Sequence, residues 1–256
     1  MSAFLRRPRV VAIVQARMGS TRLPGKVLRH LYGKPILAHV IDRVRASQAI
    51  DQIIVATTDR PVDDRIAAFA PTLGITLFRG SEDDVLSRFY FAALAAKAET
   101  IVRVTADCPL FDGVLLRAMI KEFAAQRRRG ERLDYLSNTL TRTYPRGLDA
   151  EIFDFATLQR AHLEATQPFE REHVTPYIYG HPESFAFKNF AGARDLSHHR
   201  WTLDTEEDWQ LIEAIYAALY RNDRLIATQE ILDLLDRQPA LAALNAHIVQ
   251  KATAHA

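Results

Sequence analysis

Between Gln15 and Lys26 the chain gathers Arg17, Ser20, Thr21, Arg22 and Lys26 around Gly19, Pro24 and Gly25. Hydroxyls, cations and glycines in one short stretch can surround a polyphosphate. Backbone N–H groups take phosphate oxygens while Arg and Lys neutralise their charge. The stretch is not a Walker A loop, because Lys26 is followed by Val27, and it is not a G-x-G-x-x-G dinucleotide turn. A basic surface loop would use the same residue types, and position favours anion binding over that reading. The preceding run Val10–Val14 is apolar and β-branched, the pattern of a buried strand in a parallel sheet. Open α/β sheets bind ligands beyond the carboxyl ends of such strands.

Two carboxylates are candidates to face this cradle. Asp107 follows the apolar run Ile101–Thr105 and precedes Cys108 and Pro109. At a sheet edge opposite phosphates it could hold Mg²⁺, which takes one or two carboxylates plus phosphate oxygens and water. It could equally be a turn residue bonding its own backbone. Asp204 ends a predicted short strand, Trp201–Leu203, ahead of a predicted helix, Glu206–Tyr220. Thr205 with Asp208 resembles a capping box, which leaves Asp204 free for other work, and Glu206, Glu207 and Asp208 complement the helix dipole. The single cysteine, Cys108, excludes an intrachain disulfide and lacks the Cys and His partners of a zinc motif. The nine histidines include no H-E-x-x-H pattern.

The scaffold that would position these groups is legible as an alternation. Predicted strands Val10–Val14, Ile53–Thr58, Ile75–Phe78 and Ile101–Thr105 are separated by predicted helices Pro35–Ser47, Pro61–Ala70 and Glu82–Lys97, with Val114–Arg127 following. Ser81 reads as the N-cap of the third helix. This is the signature of a parallel sheet with helices on both faces. The second half is less regular. Strands are predicted at Tyr135–Asn138, Ala150–Phe153 and Phe185–Asn189, and helices at Phe155–Thr166, Phe169–Tyr179 and Thr228–Asp236.

The segment Ala16-Arg17-Met18-Gly19-Ser20-Thr21-Arg22-Leu23-Pro24-Gly25-Lys26 resembles the A-R-x-x-S-x-R-x-x-x-K signature of sugar-acid cytidylyltransferases, the CMP-Kdo and CMP-sialic acid synthetases. The chain is most similar to the branch named after spore coat polysaccharide biosynthesis protein F. The resemblance continues through Gly80–Leu86, Thr105–Pro109, Ser137–Thr139, Tyr144–Asp149, Arg171–Tyr177 and Trp201–Thr205, and covers roughly residues 9 to 220. It implies an α/β fold of the nucleotide-diphospho-sugar transferase type, a Rossmann-like three-layer α/β/α sandwich with a mixed, mainly parallel sheet. It implies transfer of CMP from CTP to a sugar acid or related sugar, with pyrophosphate released and Mg²⁺ as cofactor. Arg17, Arg22, Lys26 and Asp107 would be catalytic, and Asp107 and Asp204 would hold the metal. Gln15, Ala16, Arg17, Gly19, Ser20, Arg22 and Lys26 would bind the nucleotide, with Arg79 and Ser81 near its base or ribose; plain capping by Ser81 is the other reading of that edge. Tyr144, Arg146, Asp149, Glu151, Glu172 and His173 belong to the block where this branch follows its own pattern. They are the acceptor candidates, with an ion-paired helix start and a polar loop as the alternative.

At 256 residues with 48% hydrophobic and 25% charged residues, the expectation is a single domain over 1–256 with a helical tail from about 221. The net charge of +2 gives no basis for nucleic-acid binding. No apolar run suits a signal peptide or a membrane span, so a cytoplasmic location is expected. The tail could dock, fray or pair with a second copy, and a homodimer is one arrangement open to it. A nucleotide-sugar-dependent glycosyltransferase or a non-catalytic nucleotide-binding module would share the sheet. Against the first, Asp107-Cys108-Pro109 stands where an Asp-x-Asp motif is usual. Against the second, both the cradle lysine and the carboxylates are present.

Overall fold

In the computed structural model, residues 7–222 and 224–250 are described. Strand β1 (Val10–Gln15) leads through a 3-10 turn at Lys26–Leu28 and a small hairpin, β2 (His30–Leu31) with β3 (Lys34–Pro35), into helix α1 (Ile36–Ala46). The alternation continues with β4 (Gln52–Thr58), α2 (Asp64–Phe69), β5 (Thr76–Gly80), α3 (Val85–Ala95), β6 (Thr100–Thr105) and α4 (Gly113–Arg128). The second half adds β7 (Tyr135–Ser137), β8 (Glu151–Asp154), α5 (Phe155–Glu164), α6 (Pro168–His173), α7 (Pro176–Gly180), β9 (Phe187–Asn189), α8 (Glu206–Leu219), α9 (Thr228–Arg237) and α10 (Pro239–Ala243).

Seven strands form one sheet in the order β5-β4-β1-β6-β8-β7-β9. β5, β4, β1 and β6 are parallel, β8 runs antiparallel to β6 and β7, and β9 is parallel to β7. The sheet is therefore mixed and mainly parallel, as the family resemblance implied. Its central strand β1 is apolar throughout because both faces are covered. Val10, Ala12 and Val14 join a core with α1, α4, α8 and α9. Val11 and Ile13 join a second core with α3, α5 and α7. Among the described residues, no helix is long and apolar enough to cross a membrane.

The strand order reverses at β1. The chain moves outward from β1 to β4 and β5, then returns to place β6 on the other side of β1. The loops leaving β1 and β6 therefore diverge around a crevice, the topological switch point where such sheets bind ligands. They stay tied at its base, where the Ala106 N–H donates to the Gln15 carbonyl at 3.0 Å.

Several local expectations change. Helix α3 starts at Val85 rather than Glu82, and its N-cap is Asp84, whose carboxylate accepts from the Ser87 N–H at 2.9 Å. Ser81 instead accepts from the Asp84 N–H in the preceding turn at 3.1 Å. The helix predicted over Phe169–Tyr179 is two helices, because buried Val174 takes φ 75° between α6 and α7. A β-branched residue in that region is a genuine outlier. Trp201–Leu203 forms no strand, and only a bridge between Arg146 and Arg200 remains of the expected pairing. The capping box is present, with Thr205 and Asp208 exchanging bonds at 3.3 and 3.1 Å.

Candidate functional site

The switch point opens into a cleft of about 400 Å³. At its floor lies Lys26, held at the start of its 3-10 turn. Its ammonium donates to Asp107 Oδ2 at 2.6 Å, to Asp204 Oδ1 at 2.8 Å and to the Leu203 carbonyl at 2.6 Å. The structure thus brings the cradle lysine and both carboxylates to one point. Burial works against the Lys26 charge, but the two aspartates outweigh it and push its pKa up to about 12. Burial likewise opposes ionisation of Asp204, yet Lys26 and Arg200 hold its carboxyl below the usual range.

Arg200 was not singled out from the sequence, and it completes this centre. Its guanidinium donates to Asp204 Oδ2 at 2.7 Å and to both oxygens of the fully buried Asp208 at 2.9 and 3.1 Å. Asn245 bonds the Arg200 carbonyl and Asp208, and Gln250 Oε1 accepts from Arg200 at 2.7 Å. Segments after α10 therefore reach the cleft, which Gln250 also lines. No periodicity marks Arg200 in the sequence; only the fold carries it beside Asp204.

The loop after β1 supplies cations and backbone donors. Arg22 stands 3.4 Å from Asp204 Oδ2, and Arg17 reaches only to 4.0 Å from Glu82. Met18 N–H donates to Asp63 at 2.6 Å, Ala16 N–H to the Ala56 carbonyl at 3.1 Å, and Ser20 accepts from Leu23. The N–H groups of Arg17, Gly19, Thr21 and Arg22 make no bond to another described residue. Those donors and the cations beside them suit an anion. Gln15, Ala16, Gly19 and Ser20 all line the cleft, and Gln15 accepts from Arg103 at 3.0 Å.

The remaining candidates divide. Glu172 and His173 line the cleft, His173 ending α6 where Val174 breaks the chain. Burial holds the His173 imidazole below its ordinary value, assisted by Arg103 and Arg17 and opposed by Glu172 and Glu151. Glu151 is buried, paired with Arg103, and accepts from Tyr135 and Thr175 at 2.6 Å each. Asp149 binds Arg142 through both oxygens, and Tyr144 stacks on Phe190. The half-buried Arg146 guanidinium makes no hydrogen bond to a described residue, although Arg142, Asp149, Arg200 and Asp204 lie near enough to act on its charge. Gly147, beside Arg146, packs closely on the backbone of Trp201 and Thr202. At φ 104° a Cβ there would sit 2.6 Å from the Trp201 carbonyl carbon. Arg79 and Ser81 do not line the cleft. Arg79 is engaged by the Thr58 and Arg60 carbonyls at 2.9 and 3.1 Å and by Asp64 at 2.8 Å.

Arg88 does line it, and sequence reasoning passed it over. It is 3% exposed, yet its Nε and Nη1 have no hydrogen-bond partner. A signal was available: Arg88 falls on the apolar face of α3 with Val85, Phe89 and Ala92, where a charge is rarely placed without a partner. An unmade buried hydrogen bond costs about 1–3 kcal/mol.

No group of three or more His, Cys, Asp and Glu side chains that could hold a metal occurs among the described residues. The pair Asp107 and Asp204 nevertheless fits a hard divalent cation that takes the rest of its shell from phosphate and water. Both are oxygen donors converging on one positive charge, and Asp107 Oδ1 meets only the Cys108 thiol at 3.5 Å.

The chain is similar to known proteins over most of its length. The family model described as Cytidylyltransferase matches residues 11–243. The spore coat polysaccharide biosynthesis protein SpsF of Bacillus subtilis is 36% identical over 241 residues, covering 91% of this chain and 96% of the relative. The 3-deoxy-manno-octulosonate cytidylyltransferase of Aeromonas salmonicida is 36% identical over 120 residues, covering 45% of this chain and 46% of the relative. A solved cytidylyltransferase from Leptospira borgpetersenii superposes with a TM-score of 0.87 at 32% identity, covering 95% of this chain and all (100%) of that one.

The Lys26 bridge has a signature in stability. A lysine whose pKa is raised from 10.5 to about 12 contributes stability that is fully present below 10.5 and lost as pH rises through 12. Lys26→Ala should cost about 2 kcal/mol at pH 7, because it takes the cation from the half-buried Asp107 and one of three from Asp204. The deficit should shrink as pH falls below the ordinary aspartate value near 4, through the lowered pKa of Asp204. Urea denaturation at a series of pH values measures both effects; a deficit independent of pH would show that the bridge acts through packing alone.

Proposed function

The chain belongs to the cytidylyltransferase family, and from that premise we propose that it transfers CMP from CTP to a sugar acid or related sugar. Pyrophosphate is released, and the product serves surface polysaccharide or glycan precursor synthesis. The observation that carries this reading is the convergence of Lys26, Asp107 and Asp204 at the switch point, beside Arg22 and the open N–H groups of the loop.

In the proposed reaction an acceptor hydroxyl attacks the α-phosphorus of CTP in line. The new O–P bond forms as the bond from the α-phosphorus to the bridging oxygen breaks, and that oxygen leaves with the electron pair on pyrophosphate. Arg17, Arg22 and Lys26 hold the triphosphate and stabilise the charge that grows on the leaving group. Mg²⁺, held by Asp107 and Asp204 when bound, supplies further electrostatic stabilisation of the reacting phosphates. His173, which lines the cleft, is the group we assign to take the hydroxyl proton, and burial, which lowers its pKa, favours the neutral imidazole that this needs. Arg146, without a hydrogen-bond partner among the described residues, offers the planar fork that suits a sugar carboxylate. The resemblance of SpsF and of the octulosonate enzyme supports a sugar-type acceptor.

Pyrophosphate release from CTP and Mg²⁺ with a panel of sugar acids tests the reaction. Asp107→Asn and Asp204→Asn should each remove most of the activity while circular dichroism stays that of the parent. Full activity in both variants would reduce the carboxylates to turn residues and refute the mechanism.

The pH profile tests the base. A neutral imidazole is needed, so kcat/KM, which reports the free enzyme, should be full above the His173 pKa and fall as pH drops through it. The acid limb therefore lies below 6.5, the ordinary histidine value. His173→Gln should lower kcat by about a hundredfold, abolish that limb and leave CTP affinity near the parent's. An unchanged limb would assign the proton to another group.

A further inference from the structure

The segment after α10 returns to the cleft, and the proposed mechanism gives it no part. Asn245 is 2% exposed and donates to the Arg200 carbonyl at 2.9 Å and to Asp208 Oδ1 at 2.8 Å. A turn follows, closed by the Ile248 N–H on the Asn245 carbonyl at 3.0 Å. Beyond it Gln250 is exposed and lines the cleft. Its Oε1 accepts from Arg200 Nη1 at 2.7 Å, while Nη2 of the same guanidinium donates to Asp204 Oδ2 at 2.7 Å. One planar group therefore sets Gln250 beside Asp204. Asn245 and Gln250 both lie past residue 243, the last that the family model matches.

The amide of Gln250 has donors to spare. A glutamine carries one acceptor oxygen and an NH₂ with two donors. Its oxygen is committed to Arg200, and its NH₂ makes no hydrogen bond to a described residue. The cations nearby are already drawn to Asp204: Lys26 at 2.8 Å, Arg200 at 2.7 Å and Arg22 at 3.4 Å. The two walls of the cleft belong to opposite faces of the sheet. Val174, next to His173, lies in the core with α3 and α5. Val27 and Leu203, next to Lys26 and Asp204, lie in the core on the other face. In an in-line displacement the attacking and leaving oxygens stand on opposite sides of the phosphorus. With His173 taking the acceptor proton at one wall, pyrophosphate departs toward the other, where Lys26, Arg22 and Gln250 stand.

We infer that Gln250 donates through its amide NH₂ to the pyrophosphate moiety of the bound nucleotide, and that the segment from Asn245 to Gln250 is thereby part of the reaction cleft. Asn245 anchors the segment on Arg200 and Asp208, and Arg200 fixes the amide oxygen so that the NH₂ is the end left for a ligand. A neutral donor suits this place. It meets a phosphate oxygen without taking a cation away from Asp204, and it adds no charge that would hold the product back. The inference rests on the cytidylyl-transfer reading and its in-line geometry.

Calorimetric titration of the full chain with CTP, CMP and inorganic pyrophosphate, each with Mg²⁺, tests it. Gln250→Ala removes both ends of the amide. Gln250→Glu keeps an acceptor for Arg200 and loses the donor. Each variant should bind CTP and pyrophosphate roughly tenfold more weakly than the parent, with CMP affinity within about twofold of the parent's. Pyrophosphate affinity retained in either variant overturns the inference, and retention in Gln250→Glu would show that the residue serves Arg200 alone. A loss that CMP shares in equal measure makes Gln250 a support of the cleft as a whole and also overturns it. A parent that binds neither CTP nor pyrophosphate refutes the cytidylyl-transfer reading itself, and the inference with it.

Discussion

One ammonium ties together three stretches that are distant in sequence. Lys26 comes from the loop after β1, Asp107 from the loop after β6 and Asp204 from the segment ahead of α8, with 81 and 178 residues separating the lysine from its two partners. The contact is reinforced beneath by the Leu203 N–H, which donates to the Asp107 carbonyl at 2.9 Å. The crevice would otherwise be two loop tips and an irregular segment, with little to fix their spacing. A charge-assisted bridge with both partners mostly removed from water sets that spacing more tightly than apolar contact could. Its cost is desolvation of three charges, which is why the surroundings are so fully bonded. Asp208 accepts from Arg200, Asn245 and the N–H groups of Asp204 and Thr205. The capping box of α8 and the anchoring of Asp204 are thus one piece of chemistry, and it explains an acidic helix start that the dipole alone would only favour weakly.

The same bridge divides the charge of the cleft. At the β1–β6 side the aspartates are matched by Lys26, Arg22 and Arg200, so an arriving anion competes for cations that are already paired. Arg17 and the loop N–H groups are much less committed. This arrangement keeps the empty cleft from carrying a bare excess of positive charge. Under the proposed function, a phosphate that drew Lys26 or Arg22 toward itself would free Asp107 and Asp204 oxygens for a divalent cation.

Long-range order was readable where local pattern and burial agree. β1, β4 and β6 are apolar runs of strand length, and α1 and α4 carry helical periodicity, so the alternation predicts them to within two residues. The candidates Lys26, Asp107 and Asp204 were legible because sheet ends are where such residues gather, although which atoms they bond was not. The misses have local causes. Ser81 is a good cap by type, but Asp84 stands one residue before the helix and wins the bond. The positive φ of Val174 is unreadable, because nothing about valine announces it and tertiary packing imposes it. Trp201–Leu203 has strand composition yet is buried by packing and not by pairing. Arg88 is the opposite case: its place on an apolar helix face was visible, and only the weight given to that anomaly was lacking.

A second buried chain of bonds runs from the floor of the cleft to the less regular half of the fold. Gln15 accepts from Arg103, Arg103 pairs with Glu151, and Glu151 accepts from Tyr135 and from Thr175, which stands two residues after His173. Glu151 is antiparallel partner to Arg103 across β8 and β6, so the pair is fixed by sheet register as well as by charge. This gives the buried carboxylate a physical role without contact to any ligand. It orients Gln15 on one side and seats the turn that ends α6 on the other, placing His173 relative to the loop after β1. Because Glu151, Tyr135 and Thr175 are buried and Arg103 and Gln15 are half-buried, loss of one link leaves its neighbours unsatisfied. Changes at Glu151 are therefore expected to disturb both ends of the cleft together, whereas changes at His173 act at one end only. That asymmetry separates a residue that supports the cleft from one that lines it, even though both were candidates of the same kind in the sequence.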